Sequence, residues 1–138
     1  MRIERATPHQ WASLSEDAHL AVFGTLKPAT FDRIDYALLA VDSQQKPLAY
    51  LTARETDHET VYWQFGGSFP GARGTPQSYR AFQAFLRYTK EAGYKRVTCL
   101  VENTNTVFLK FVMKAGFLIQ GVRMFKSTVL VEHMLEFK

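Results

Sequence analysis

Cysteine is almost absent from this sequence, since Cys99 is the only one in 138 residues. A single cysteine excludes an intramolecular disulfide framework and any metal site built from several thiolates, and it suits a reducing compartment. The four histidines are too scattered to suggest a metal site. No apolar run approaches the roughly 18 residues of a membrane span. We therefore expect a cytoplasmic protein, with no membrane partner and no metal, in which Cys99 is buried and inert.

A concentrated run of positive charge is also missing. The sequence has 17 Lys and Arg against 13 Asp and Glu, which gives a net charge of +4 and a pI of about 9.3. The basic residues are scattered from Arg2 to Lys138, whereas nucleic-acid-binding modules place them in dense stripes. This pattern argues against a nucleic acid partner. Mild basicity suits an anionic ligand, such as a cofactor that carries three phosphates.

The sequence is rich in the residues that build a core. Hydrophobic residues make up 46% of the chain and aromatic residues 14%, which is more than a disordered chain carries. A length of 138 residues is enough to enclose one core. We expect residues 1–138 to form a single folded domain without linkers or internal repeats.

The order of apolar and turn-forming segments predicts a mixed α/β domain. Apolar or alternating runs indicate strands, and Pro and Gly mark turns and helix ends. Residues 42–47 and 126–127 are predicted hairpin turns, and residues 55–60 a polar turn. The predicted strands cover residues 1–6, 36–41, 48–53, 61–65, 95–101, 118–126 and 128–137, and the predicted helices cover residues 7–14, 15–26, 76–92 and a segment after Asn105.

The helix that begins at Pro76 has the clearest pattern. Thr75 can act as its N-cap, Pro76 suits its first turn, and Gly93 ends it. Five residues at three- and four-residue spacings should face the sheet: Tyr79, Phe82, Phe85, Leu86 and Thr89. The loop over residues 70–75 would place free N–H groups at the start of this helix, where an anion is favoured. The same loop also reads as an ordinary connection between a strand and a helix.

A set of short motifs lies between residues 70 and 117. It reads Pro70-x-x-Arg73-Gly74, Gly93-Tyr94, Asn105, Lys114 and Gly116-Phe117. The order and spacing resemble the acetyl-CoA core of the GCN5-related N-acetyltransferases, most clearly over residues 61–120. The resemblance implies an α/β (α+β) domain with a mixed, twisted sheet of about six to seven strands and about four helices on both faces. It also implies direct transfer of an acetyl group from acetyl-CoA to a primary amine.

The resemblance implies a cofactor site around the loop and the helix after Asn105. Two strands would splay apart to admit the pantetheine arm, which Asn105 would contact. The local pattern leaves other roles open, because Asn105 is a favourable N-cap and Phe108 belongs to an apolar stripe. The implied cofactor-binding residues are Ser68, Phe69, Arg73, Gly74, Thr75, Ser78, Asn105 and Phe108.

The implied acceptor is a small-molecule or protein amine, with a pocket shaped by residues 7–35. Glu59 is the candidate general base, since it is the nearest carboxylate to the strand that precedes the loop. Its other interpretation is a solvated turn residue. The last two predicted strands could supply a homodimer contact.

The sequence departs from the family pattern at four positions. Pro76 stands where the family loop usually has a glycine, Ser78 where it has a glycine or alanine, and Phe108 replaces an alanine. Val112 replaces the tyrosine that usually protonates the leaving thiolate. Pro76 has no N–H to offer a phosphate, and Val112 has no proton to donate. These departures favour an alternative hypothesis, a domain that has lost catalysis and acts as a binding or structural protein.

Overall fold

The computed structural model describes residues 1–6 and 34–138 of the chain. This part contains seven strands and two helices in the order strand, strand, strand, strand, helix, strand, helix, strand, strand. Their bounds are β1 Arg2–Ala6, β2 Tyr36–Val41, β3 Pro47–Asp57, β4 Thr60–Ser68, α1 Pro76–Glu91, β5 Arg96–Glu102, α2 Thr106–Lys114, β6 Leu118–Phe125 and β7 Thr128–Glu136. The helices predicted over residues 7–14 and 15–26 lie outside the described residues.

All seven strands form one mixed sheet, as predicted. The strand order is β1-β2-β3-β4-β5-β7-β6. Every neighbouring pair is antiparallel except β4 and β5, which run parallel. A parallel pair needs a crossover connection, and α1 supplies it between these two strands. The single parallel pair therefore lies at the centre of the sheet, next to the connection that carries the predicted loop.

Helix α1 forms as its sequence predicts. The Thr75 side chain accepts a hydrogen bond from the Ser78 N–H, Pro76 occupies the first turn, and Gly93 follows the helix with φ +100°. The buried face includes Phe82, Phe85 and Thr89. The Thr89 hydroxyl donates to the Phe85 carbonyl oxygen at 2.8 Å, which satisfies this buried polar group.

An aromatic cluster joins the two helices to each other. The Phe82 ring lies 5.2 Å from that of Phe108 and 5.6 Å from that of Phe111, and Tyr79 contacts Phe111 at 5.3 Å. Edge-to-face and tilted contacts of this kind stabilise the fold more than the burial of their surface area alone would. The Phe85 ring contacts that of Phe82, with the two centroids 5.4 Å apart. Both helices thus cover the same face of the sheet, and the larger part of the core lies between them and the strands.

A smaller apolar group covers the opposite face. It centres on buried Ile34, Ala37 and Tyr50, with Phe65 and Phe69 packed beside them. Side chains alternate between the two faces of a sheet, so Tyr50 points away from Leu51, which belongs to the helix-side core. We call the side that carries α1 and α2 the helix face, and the side on which no described residue forms a helix the open face.

Two of the strand boundaries predicted from the sequence were wrong. Residues 55–57 continue strand β3, and the turn is confined to residues 58–59. Their polarity reflects exposure at the end of a hairpin, where Glu55 pairs in register with Val61 and Asp57 with Thr60. Strand β4 also extends to Ser68, because pairing with Ala49 keeps its glycines in the sheet. The predicted tight turn after β6 is confirmed, with Lys126 at φ 55°.

The edge strand β6 carries several exposed apolar side chains. They include Leu118, Ile119, Val122, Met124 and Phe125. A strand edge of this kind is a common site of association, and the predicted homodimer contact stays a prediction. Neither helix in the described part of the chain has the length and apolar character needed to span a bilayer.

Candidate functional site

The sheet opens between its two parallel strands. Strands β4 and β5 pair from Thr60 with Arg96 up to Trp63 with Cys99, where their ladder ends. Each strand continues beyond that point, β4 to Ser68 in pairing with β3 and β5 to Glu102 in pairing with β7. The two strands therefore diverge inside the sheet. We call the space between residues 64–68 and 100–102 the gap, and the Trp63–Cys99 pair its apex.

The β4–β5 ladder ends at the apex, so beyond it neither strand supplies the other with backbone hydrogen bonds. A ligand with amide groups of its own can pair with both strand edges at once. The gap thus provides a slot for an extended, amide-containing chain.

The loop over residues 69–75 lies at the open end of the gap. Gly74 adopts φ +76°, a conformation that favours glycine, and leads directly into the N-cap of α1. In the part of the chain that the structure describes, the N–H groups of Gly74 and Gln77 form no hydrogen bond. Arg73 is exposed beside them and donates to the Ser68 carbonyl oxygen at 3.4 Å. Two N–H groups, a guanidinium and a helix N-terminus together favour an anion here.

The three hydroxyl residues of the predicted cofactor site form hydrogen bonds within the protein. The Thr75 hydroxyl donates to the Ala72 carbonyl oxygen at 2.6 Å and accepts from the Ser78 N–H at 3.4 Å. The Ser68 and Ser78 hydroxyls bond to each other, and Ser78 is buried. Because Pro76 has no N–H and the Ser78 N–H is used by the cap, the loop offers fewer donors than its length suggests. The sequence pattern alone did not reveal this internal pairing.

The two predicted aromatic contacts lie on opposite faces. Phe69 packs against Tyr50 on the open face, with ring centroids 6.2 Å apart. Phe108 belongs to the aromatic cluster between α1 and α2, on the helix face. Both rings are partly buried, so each can border the gap while it packs against its neighbours.

Asn105 lies across the gap from the loop, shortly after the end of β5. Its side-chain oxygen accepts a hydrogen bond from the Phe108 N–H at 3.2 Å, which makes it the N-cap of α2. The side-chain NH2 group remains available as a donor at the open end of the gap. Asn105 therefore caps α2 through its side-chain oxygen, and its NH2 group could also donate a hydrogen bond to a cofactor.

Replacing Asn105 with Asp separates these two roles. Asp caps helices about as well as Asn, so we expect the free energy of unfolding to stay within about 0.5 kcal/mol. The variant loses the NH2 donor and gains a negative charge, so we expect CoA binding to weaken about 10-fold. Calorimetric titration measures this change, and Asn103→Asp is the matched control. Equal CoA affinity in Asn105→Asp and the unaltered protein would leave Asn105 with a capping role only.

Glu59 lies apart from the loop and the gap. It precedes β4, whereas the loop follows β4, and nine strand residues separate them by roughly 30 Å. Its carboxylate pairs with Lys95 at 3.1 Å and with Arg96 at 3.6 Å. The hydrogen bond and the charge of Lys95 hold the pKa of Glu59 below its usual value. A low pKa weakens a general base, so the role predicted for Glu59 stays a prediction without support from its surroundings.

A cavity of about 320 Å³ lies on the open face, next to the apex of the gap. Tyr62 and Thr98 form the register pair that precedes the apex, and Leu100 follows it. Strands β3, β6 and β7 complete the walls with Arg54, Thr56, Arg123 and Glu132. The sequence analysis singled out none of these residues. They lie on five strands, and only the strand order brings them together.

The helix face of the apex carries two buried polar atoms without partners among the described residues, Trp63 Nε1 and His133 Nε2. Val112 is fully buried nearby in the core and offers no proton. Cys99 is buried too, as predicted, and burial raises the pKa of its thiol to about 12. A thiol with so high a pKa is not a nucleophile near neutral pH.

Burial lowers the pKa of His133 and makes stability depend on pH. Its Nδ1 lies 3.1 Å from the Val131 carbonyl oxygen and the residue is 0% exposed, so the neutral ring is the folded form. Below about pH 6.5 the unfolded chain takes up a proton that the folded chain does not. We expect the free energy of unfolding to fall by on the order of 1 kcal/mol per pH unit from there toward the lower pKa of the folded state.

Denaturant titrations between pH 7.5 and 5 measure this slope. His133→Gln should flatten it, whereas His58→Gln, at a side chain that is 90% exposed, should leave it unchanged. An unchanged slope in His133→Gln would assign the pH dependence to other groups.

Solved structures of the same fold cover nearly the whole chain. An acetyltransferase from Bacillus subtilis in complex with CoA matches with a TM-score of 0.78, 15% identity and 99% of each chain covered. A GNAT family acetyltransferase from Elizabethkingia anophelis with acetyl-CoA bound has a TM-score of 0.76 and 15% identity, over 99% of this chain and 97% of that one. The ribosomal-protein-S18-alanine N-acetyltransferase from Escherichia coli has a TM-score of 0.78 and 9% identity, over 98% of this chain and 92% of that one.

No protein-family model matches the chain, and no curated protein matches it in sequence. The likeness to the solved structures is therefore one of architecture. On that basis, the chain has the fold of the GCN5-related N-acetyltransferases.

Proposed function

We propose that residues 1–138 form one acetyltransferase domain that moves an acetyl group from acetyl-CoA to a primary amine. The observation that carries this proposal is the gap between β4 and β5, which opens toward an anion-binding loop at the N-terminus of α1. CoA has matching parts, a pyrophosphate at one end and an arm with two amide groups that ends in a thiol.

The cofactor would lie with its pyrophosphate at the loop. The Gly74 and Gln77 N–H groups and the Arg73 guanidinium would bind the phosphates. The arm would run along the gap between the two strand edges, with Asn105 beside it, and place the thioester near the apex. Ser68, Thr75 and Ser78 would support the loop from within rather than contact the cofactor.

The acceptor amine would approach from the open face, through the cavity. Its nitrogen attacks the thioester carbonyl carbon, a C–N bond forms, and the C–S bond breaks with its electron pair on sulfur. Glu132 is the carboxylate that lines this cavity, and we assign it the role of accepting the amine proton. Val112 has no proton to donate, so the proton that the nitrogen loses on forming the amide would reach the thiolate through water or another side chain.

A second candidate function is a binding or structural domain without catalysis. The internal pairing of Ser68 with Ser78 and the missing N–H at Pro76 favour it, because both reduce the donors available to a phosphate. The two functions differ in one property, since only the enzyme must bind acetyl-CoA.

Calorimetric titration with acetyl-CoA and CoA tests the proposal. We expect micromolar binding that Arg73→Glu weakens at least about 10-fold, since a charge-assisted contact becomes a repulsion. Gly74→Pro should abolish binding, because proline cannot adopt φ +76°. Arg80→Glu makes the same charge change on the exposed side of α1 and should leave the affinity nearly unchanged. No heat of binding at millimolar cofactor would contradict the proposal and favour the non-catalytic domain.

A further inference from the structure

The cavity on the open face has a charge pattern that no part of the cofactor explains. Its volume of about 320 Å³ is at the lower end of the range for ligand pockets. It opens on the side of the sheet opposite the two helices, because Tyr62 and Thr98 alternate with Trp63 and Cys99, which are buried on the helix face. A small acceptor fits it, and the attacking group would meet the apex of the gap.

One carboxylate and two guanidinium groups line this cavity. Arg123 pairs with the Oε2 atom of Glu132 at 3.0 Å, and the Oε1 atom has no ion-pair partner among the described residues. Arg54 has no carboxylate within ion-pair distance among the residues that the structure describes. The lining described here therefore carries one positive charge that nothing offsets.

The Tyr62 ring orients the Arg54 side chain at the cavity wall. It is the register partner of Tyr62 across β3 and β4, and its guanidinium lies over the Tyr62 ring, 5.7 Å from the centroid. Stacking on an aromatic ring orients the planar guanidinium while its N–H groups stay available. A guanidinium in this state matches a carboxylate, which accepts two parallel hydrogen bonds from it.

We propose that the acceptor is a small amino acid-like molecule, an amine that also carries a carboxylate, and that Arg54 selects it by binding that carboxylate. This inference rests on the proposed acetyl transfer. Arg54 binds the carboxylate and Glu132 attracts the ammonium group at the other side of the cavity. Loss of one proton to Glu132 frees the amine. Its nitrogen bonds to the thioester carbonyl carbon as the C–S bond breaks, and the second nitrogen proton passes to the sulfur, so that CoA leaves as its thiol. The product is the N-acetylated acid.

Matched pairs of acceptors test this selection. The probes are glycine and glycinamide, leucine and leucinamide, and 4-aminobutyrate and butylamine, with CoA release followed at saturating acetyl-CoA. We expect kcat/KM for an acid to exceed that for its neutral partner at least about 10-fold. Arg54→Gln should raise KM for the acids about 10-fold or more and leave the neutral amines unaffected. Arg54→Lys should restore part of the preference, and Arg87→Gln, at an exposed site on α1, should change nothing.

Binding of the products gives a second measurement that does not depend on turnover. N-acetylglycine and N-acetylleucine, titrated calorimetrically in the presence of CoA, should bind more tightly than their amides, and Arg54→Gln should remove the difference. Equal rates for acids and amides, or no binding of any N-acetylated acid, would overturn the inference. Acetyl-CoA affinity is measured first on the same samples. If acetyl-CoA itself does not bind, the proposed function fails; if it binds normally, the acceptor inference alone is tested.

Discussion

Glu132→Gln should lower kcat/KM at least about 100-fold while acetyl-CoA still binds with its normal affinity. The side chain lies at the cavity wall, in register with Leu100 just past the apex, where the proposed acceptor amine would lose its proton. General bases contribute at least two orders of magnitude, which corresponds to about 2.7 kcal/mol in the activation free energy. The glutamine keeps the shape of the side chain and cannot accept the proton.

Glu59→Gln is the matched control, and it should leave kcat/KM within about twofold. Its carboxylate pairs with Lys95 and Arg96 at the far end of β4. Folding is checked by thermal unfolding, since Glu132→Gln leaves Arg123 without its partner. That cost should be below about 1 kcal/mol, because the Arg123 side chain is 63% exposed. A large loss of activity in Glu59→Gln together with a normal Glu132→Gln would reverse our assignment of the base.

Phe85→Ala should lower the free energy of unfolding by about 3–5 kcal/mol. Phe85 is 0% exposed on the inner face of α1, where it supports Phe82 and through it the aromatic cluster with α2. Removing the ring leaves a cavity between helix and sheet that the surrounding side chains fill only in part. A domain of this size has a total stability of only about 5–15 kcal/mol, so much of it would be lost.

Urea denaturation measures this loss, and Phe125→Ala provides the same chemical change at an exposed site. Phe125 is 65% exposed on β6, so its replacement should change the free energy of unfolding by less than about 0.5 kcal/mol. Comparable losses in the two variants would contradict the assignment of the core to the helix face.

Local sequence signals predicted the parts of the fold that depend on neighbouring residues. The cap at Thr75, the proline after it and the spacing of Phe82, Phe85 and Thr89 all describe α1, and the structure has that helix over Pro76–Glu91. The strands that build the sheet were predicted from their apolar runs, since each run is long enough to bury one face.

The hydrogen bonds that the loop residues form within the protein could not be predicted in the same way. The bond between the Ser68 and Ser78 hydroxyls joins the end of a strand to the first turn of a helix. Sequence spacing gives no sign of which hydroxyls face each other, so the pairing of Ser68 with Ser78 was not predicted. Residues 69–75 and Asn105 lie at the same end of the gap, and their role in cofactor binding stays a prediction.

The residues that line the open-face cavity could not be predicted from the sequence. Arg54, Tyr62, Thr98 and Glu132 each look like a polar residue on an alternating strand. These four residues lie close together because of the strand order β3-β4-β5-β7 and the register in which neighbouring strands pair. Glu59 was chosen because it is close to β4 in sequence. The structure places it at the end of β4 opposite the loop, and its role as a base stays a prediction.

The most direct measurement is a crystal structure of the protein with CoA bound. We expect the pyrophosphate at residues 73–77 and the arm between β4 and β5, hydrogen-bonded to both strand edges, with the thiol at the Trp63–Cys99 apex beside the cavity. CoA bound elsewhere on the surface, or a gap closed by side chains with no cofactor density at millimolar CoA, would contradict it.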